Sequence, residues 1–271
     1  MNWWQAIILG LIQGLTEFLP VSSSGHLVLG QHVLGLDAAS AEDVTFEVFT
    51  HFGTALSILT VYRRDVGALI RATVRSVLSP RDFREAYATQ APVRTVVFIL
   101  ITLIPTGIAY VLFKDPIEAA FGRPRFVSGM LLVTGVLLFL TIFRGKTSGE
   151  ITPIKAFVIG IAQSFAMIPG ISRSGSTICT AIYQNVRQED AANFSFLMVL
   201  PVIIGAAILK FGEAFGPGAT VDVVPVVIGT VVAYISGIAA IKLVIAFVRK
   251  GNLSWFAYYC FVVGTLGLWL I

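Results

Sequence analysis

The sequence predicts an all-α, polytopic membrane protein: six spanning helices plus two re-entrant helical hairpins in an inverted repeat. Three observations predict this. Of the 271 residues, 56% are hydrophobic and 13% charged, whereas a soluble domain carries about 25% charged residues. Six apolar runs are long enough to cross a hydrocarbon core, which takes about 20 helical residues. Two polar, Pro- and Gly-broken stretches also interrupt apolar sequence at matching places: QGLTEFLPVSSSGHL at Gln13–Leu27 and QSFAMIPGISRSGST at Gln163–Thr177.

Taken in order, Trp3–Leu19 is apolar at helical spacing and stops at Pro20 and the SSSG run, after which Leu27–Leu34 resumes it. Each piece is too short to span. MNWW has no basic n-region, so the start reads as part of this hairpin rather than as a cleavable signal. Leu36–Val44 is acidic, with Asp37, Glu42 and Asp43, and Ala41–Tyr62 is the first span. In the stretch RRDVGALIRATVRSVLSPRDFREA, Val66, Leu69, Ile70, Val74, Val77 and Leu78 recur at helical spacing against Arg71 and Arg75. That pattern predicts an interfacial amphipathic helix. Val93–Phe113 and Phe126–Phe143 are the next two spans. Ile154–Ile168 then stops at Pro169-Gly170, and Ser176–Val186 resumes, repeating the broken pattern of the first hairpin. Ala191–Lys210, Val223–Val248 and Leu253–Ile271 complete six spans.

The two halves, approximately 1–143 and 151–271 of a single membrane domain, align at an offset of 150. Gly10, Gln13, Ser22, Ser24 and Gly25 fall on Gly160, Gln163, Ser172, Ser174 and Gly175. One hairpin and three spans per half is an odd number of crossings, which makes the repeats inverted, with broken helices meeting near the midplane. Seven arginines in Arg63–Arg94, with Arg144, Lys146, Lys155, Arg249 and Lys250, place those loops in the cytoplasm and both termini outside. The net charge of +4 is read as topology, and no nucleic-acid partner is expected. Cys179 and Cys260 lie in apolar segments and read as reduced, buried residues. There is no zinc-type cluster and no phosphate loop of the GxxxxGK[ST] kind.

Ionisable groups at membrane depth mark function, because leaving them unpaired there is expensive. Here they are Glu17, His26 and Arg173, with Glu47 and His51 on the next span. A Glu17–Arg173 pair could simply join the halves, but that leaves Ser22, Ser23, Ser24, Ser172, Ser174, Ser176 and Thr177 unexplained. Each serine alone is most simply a helix cap. Together they describe an anion site. In PGISRSGST the glycines permit close backbone approach, a helix N-terminus follows, and Arg173 supplies a fork suited to phosphate oxygens. PVSSSGH offers the same from the other half, and two facing sites of this kind suit a diphosphate. The attacking group is Ser23, activated by His26 one helical turn on, or a metal-bound water, with His26 as acid or base. Glu47 is a candidate supporting group. His32 and His51 lack a motif and read as structural.

The Gln13–Glu17 spacing, FLPVSSSGH and PGISRSGST resemble the two signature motifs of the undecaprenyl-diphosphate phosphatase, or bacitracin-resistance, family, and the likeness covers essentially the whole chain. It implies hydrolysis of undecaprenyl diphosphate to undecaprenyl phosphate and phosphate in a bacterial cytoplasmic membrane. This recycles the lipid carrier of cell-wall synthesis, and bacitracin competes for the substrate. It implies Glu17, Ser23, His26 and Arg173 as catalytic residues. It puts Ser172, Ser174 and Thr177 in the phosphate loop and adds help from a divalent cation. The anion-site reading adds Ser22, Ser24 and Gly175 as phosphate-binding residues, with Glu17 and Gln13 as ligands of Mg²⁺ or Ca²⁺. Members often have glutamate where Gln13 stands, and many have threonine at Ser24. Membrane lipid and a second copy in a homodimer are further partners expected, with the site opening to the periplasmic side. A competing reading, from the inverted repeat itself, is a translocase for undecaprenyl phosphate. Against it, a carboxylate such as Glu17 repels an anion that is merely carried.

Overall fold

The computed structural model describes residues 1–36, 41–214 and 222–271, and the regular elements among them are helices. The first hairpin is α1 (Trp3–Phe18) and α2 (Ser23–Val33). It leads into α3 (Ala41–Val61), α4 (Arg63–Leu78), the short α5 (Phe83–Thr89), α6 (Ala91–Phe121) and α7 (Pro124–Phe139). The second hairpin, α8 (Pro153–Phe165) and α9 (Arg173–Tyr183), is followed by α10 (Gln188–Ala214), α11 (Val223–Arg249) and α12 (Ser254–Leu270). Asp37 lies outside the described residues, as do the side chains of Glu42 and Asp43. By length and hydropathy, four described segments can cross a membrane: Ala91–Phe121, Pro124–Phe143, Gln188–Ala206 and Val223–Arg249. Of the other two expected spans, α12 has only 17 residues and α3 carries Glu42, Asp43 and Glu47 in its first two turns.

The hairpins are built alike. Gln5 Oε1 accepts the Asn2 N–H (2.8 Å) at the start of α1, and Thr152 Oγ1 accepts the Lys155 N–H (3.3 Å) at the start of α8. Both second helices begin earlier than their apolar runs suggest, at Ser23 rather than Leu27 and at Arg173 rather than Ser176. The cause is capping. Ser22 Oγ accepts the Gly25 N–H (3.2 Å), and Ser172 Oγ accepts the Gly175 N–H (3.0 Å). The residues that follow therefore form a first helical turn instead of a loop. The two helices also stop alike, at left-handed residues Gly35 (φ 66) and Asn185 (φ 61). Leu36 N–H reaches Gln31 O (2.9 Å) and Val186 N–H reaches Ala181 O (2.9 Å), the closing bond of a Schellman stop.

Helix α6 bends where its apolar run was expected to end. Phe113 leaves helical geometry (φ −127, ψ 15) and Pro116 follows; a proline ring crowds the carbonyl four residues back and removes a hydrogen bond. Among the packed pairs, α1 lies along α11, α8 along α6, α3 along α11 and α7 along α12. In lipid there is little hydrophobic drive between helices, so small residues that let backbones approach decide these pairings. A Cβ at Gly10 would sit 2.7 Å from the Gly229 carbonyl oxygen, and one at Gly160 would sit 2.7 Å from the Thr102 backbone. Gly10→Ala and Gly160→Ala are each expected to destabilise by about 1–3 kcal/mol through overpacking. The midpoint of denaturation in detergent checks this, and unchanged midpoints would mean these helix pairs separate freely. Large apolar side chains such as Val111, Ile235 and Trp269 face outward, as lipid contact requires.

Candidate active site

The two broken stretches meet. A Cβ at Gly25 would lie 3.1 Å from Gly170 Cα, and one at Gly175 would lie 3.2 Å from the Pro20 carbonyl oxygen. Each glycine is thus the point where one hairpin's turn touches the other. Ser174 Oγ donates to the Leu19 carbonyl (3.1 Å), crossing the same junction. From α7, Thr134 Oγ1 donates to Gly170 O (2.9 Å) and accepts the Ser172 N–H (2.9 Å), pinning the second turn. The N-termini of α2 and α9 are consequently brought together. Each presents first-turn N–H groups that have no helical acceptor, and each contributes the positive end of a helix dipole.

Glu17, in the last turn of α1 and buried, is the hub. Its Oε1 pairs with Arg173 Nη2. Its Oε2 accepts Ser23 Oγ–H (2.7 Å) and Gln13 Nε2–H (3.0 Å), and His51 Nε2 stands 3.8 Å away. Arg173 uses one nitrogen on Glu17, while its Nη1 is buried without a partner. A guanidinium half-committed to a carboxylate, beside two helix N-termini, is suited to gripping phosphate oxygens with its other half.

The expected contact between Ser23 and His26 is not made: Ser23 donates to Glu17 instead. His26 Nδ1 lies 2.7 Å from the Ser22 carbonyl oxygen, which can only accept, so Nδ1 carries the proton. Nε2 of the neutral ring then accepts from Tyr259 Oη (2.9 Å), and the two rings are stacked at 5.5 Å and 9°. This strut holds the carbonyl of Ser22, whose backbone is left-handed (φ 72, ψ 99), a conformation that costs a non-glycine residue about 1–3 kcal/mol. His26 thereby helps to aim Ser23. Tyr259→Phe, which keeps the stacked ring and loses the hydroxyl, is expected to lower kcat by about tenfold with KM little changed. Steady-state kinetics check this, and a matching rise in KM alone would place Tyr259 in substrate binding.

The six residues expected to bind phosphate divide. Ser22 and Ser172 are caps, and Ser174 and Thr177 are buried and engaged, Thr177 with the Arg173 carbonyl (2.8 Å) and Ser195 Oγ (2.6 Å). Gly175 serves the close approach of the turns. Ser24 is partly exposed beside Ser23, 3.3 Å from Ser22 Oγ.

His51, which reads as structural in the sequence, faces Glu17. Its Nδ1 donates to the Glu47 carbonyl (2.8 Å), which turns Nε2 toward the carboxylate. An ionisable residue four positions after Glu47 inside an apolar helix was the available signal. Tyr259 and Ser195 had none, lying in apolar helices without a motif.

For a divalent cation, the donor set is one carboxylate, Glu17, and the Gln13 Oε1 atom, buried and without a partner. No group of three His, Cys, Asp or Glu side chains that could hold a metal exists among the described residues. This set fits Mg²⁺, which is held by one or two carboxylates and takes the rest from phosphate and water, more closely than Ca²⁺, which takes about six to eight oxygens.

Residues 6–266 match the model of the family described as bacitracin resistance protein BacA. A protein of Salinibacter ruber named undecaprenyl-diphosphatase is 59% identical over 271 residues, covering 100% of both chains. Proteins of the same name from Christiangramia forsetii and Bacteroides fragilis are 42% and 39% identical, covering 97% and 98% of this chain and 96% and 97% of theirs. With the paired hairpins, the Glu17–Arg173 pair and this match over nearly its whole length, the chain belongs to the bacitracin resistance protein BacA family.

Proposed function

We infer that this protein is an undecaprenyl-diphosphate phosphatase, converting undecaprenyl diphosphate to undecaprenyl phosphate and inorganic phosphate. The observation that carries this reading is Ser23 Oγ donating at 2.7 Å to Glu17, a carboxylate itself paired with Arg173. A carrier that only binds an anion needs no carboxylate beside it. A nucleophile needs a base within hydrogen-bond reach.

Ser23 Oγ attacks the terminal phosphorus while Glu17 Oε2 takes its proton. The bond from that phosphorus to the bridging oxygen breaks, and undecaprenyl phosphate leaves as an anion that needs no strong acid. Glu17 gives that proton up to the departing undecaprenyl phosphate or to solvent. It then takes a proton from an attacking water and returns it to Ser23 Oγ as the bond from phosphorus to Ser23 Oγ breaks, releasing phosphate. Arg173 Nη1 and the first-turn N–H groups of α2 and α9 neutralise the phosphoryl oxygens in both steps. Mg²⁺ or Ca²⁺, held by Glu17 and Gln13 Oε1, would supply further charge neutralisation to the diphosphate when bound. His51 lines the same carboxylate. Bacitracin, by binding the diphosphate, competes for the substrate.

The setting is a bacterial cytoplasmic membrane, with α3 and α12 completing six spans. The hairpins are re-entrant: α1 has 16 residues and α2 has 11, about 24 Å and 17 Å of helix, against a core of about 30 Å. The matching caps and stops of their second helices support an inverted repeat of 1–143 and 151–271, and the basic loops support external termini and a site opening to the periplasmic side. Cysteines at Asn2 and Leu36 should both react with an impermeant reagent from the periplasmic side. Reaction from opposite sides would make the first hairpin a true span. A homodimer is read as the assembly.

The activity is tested on purified protein given undecaprenyl diphosphate and Mg²⁺. Phosphate release is expected. Movement of undecaprenyl phosphate across sealed vesicles with no phosphate release would assign the protein to transport instead.

A further inference from the structure

Helix α4 has three faces, and only one of them meets protein. Ala72 packs with Ala86 and Val93, and Val66 and Leu69 lean on the main core. Ile70, Val74, Val77 and Leu78, at i, i+4, i+7 and i+8, form an apolar stripe that is 59%, 50%, 71% and 75% exposed. Beside it run Arg64, Arg71 and Arg75, at i, i+7 and i+11, all exposed. These arginines have no hydrogen-bond or ion-pair partner among the described residues. By contrast, Arg173 is committed to Glu17, Arg187 to Asp190, Arg249 to Glu189 and Arg144 to the Tyr183 carbonyl.

Among the described residues of the second half, no helix stands between α10 and α11. Helix α4 is therefore an addition to the paired hairpins, and its outer faces are not needed to build the site. The cleft between α4, α5 and α6, with a volume of about 330 Å³, does not explain the arginine stripe. Of the three stripe arginines, only Arg75 is on its lining.

We propose that α4 is a recognition surface for anionic phospholipid, with the stripe of Ile70, Val74, Val77 and Leu78 among the acyl chains and Arg64, Arg71 and Arg75 on the headgroup phosphates. Charge complementarity selects this occupant. An apolar stripe bordered by unpaired arginines matches the level at which acyl chains give way to phosphate, and long arginine stems let the charge rise to it. A neutral phosphatidylcholine surface satisfies the apolar stripe but leaves the arginines without net attraction.

The test is lipid retention by native mass spectrometry of detergent-purified protein exposed to equal amounts of phosphatidylglycerol and phosphatidylcholine. Phosphatidylglycerol is expected to be retained preferentially, the preference falling about fivefold for each arginine removed in Arg71→Gln and Arg75→Gln. It should also shrink at high salt. The melting temperature of the variants is expected to be unchanged, because neither side chain holds another element. Equal retention of the two lipids by the unsubstituted protein would overturn the proposal. So would an undiminished preference in the double variant. Loss of dimer mass in that variant, with the lipid preference intact, would assign the face to a second copy of this chain and equally overturn it.

Discussion

Replacing Ser23 with alanine is expected to lower turnover on the order of 10⁴-fold, with the protein still folded. Removal of a nucleophile that works as a unit with its base leaves only binding and charge stabilisation, so the loss is large and changes little when Glu17 is also substituted. Ser23 Oγ donates one of the two hydrogen bonds at Glu17 Oε2, the other coming from Gln13. Its loss costs roughly 1 kcal/mol of stability, too little to unfold the chain. Acid quenching of the unsubstituted enzyme during turnover should trap phosphate on Ser23, and Ser23→Ala should trap none. If Ser23→Ala retained a few per cent of wild-type turnover, the attack would belong to water, and Ser23 would only orient it.

Arg173 carries the second large effect, and two substitutions separate its roles. Arg173→Lys keeps a positive charge beside Glu17 and is expected to fold, but to lose roughly 10²–10³-fold in kcat. An ammonium cannot hold the carboxylate with one nitrogen and phosphate oxygens with another. Arg173→Gln leaves the Glu17 carboxylate, whose side chain is 5% exposed, with its opposite charge gone. That is expected to destabilise by about 3–5 kcal/mol. Pairing Arg173→Gln with Glu17→Gln removes both charges, so the double variant should recover most of that stability and none of the activity. Thermal melts and turnover measured on the same preparations give both readouts. Near-wild-type turnover in Arg173→Lys would reduce Arg173 to a counter-charge for Glu17, and no stability recovery in the double variant would mean the pair does not hold the hairpins together.

Much of this was legible along the chain. Long apolar runs, helix-breaking Pro20 and Pro169, and the offset of 150 between PVSSSGH and PGISRSGST are local features, set by hydrophobic period, ring sterics and spacing. They predicted most helices to within a few residues, α6 excepted, which runs on past Phe113 to Phe121, and placed Glu17 and Arg173 at membrane depth, where opposite charges are driven to pair. Helix starts were less accessible, because Ser22 and Ser172 act as caps. A serine's hydroxyl reads alike in a loop, at a cap or on a substrate.

What the sequence determined by itself is the membrane class, the paired broken hairpins and the residue types of the anion site. Only the tertiary structure decided which group each side chain serves. Ser23 turns to Glu17 and not to His26, because the ring of His26 is tied to the Ser22 carbonyl and to Tyr259, 233 residues away. His51 joins Glu17 because its Nδ1 is anchored on its own helix. These partnerships depend on the rotation and depth of packed helices, which glycine-to-backbone contacts set. That information lies between segments, where no pattern within one segment can express it.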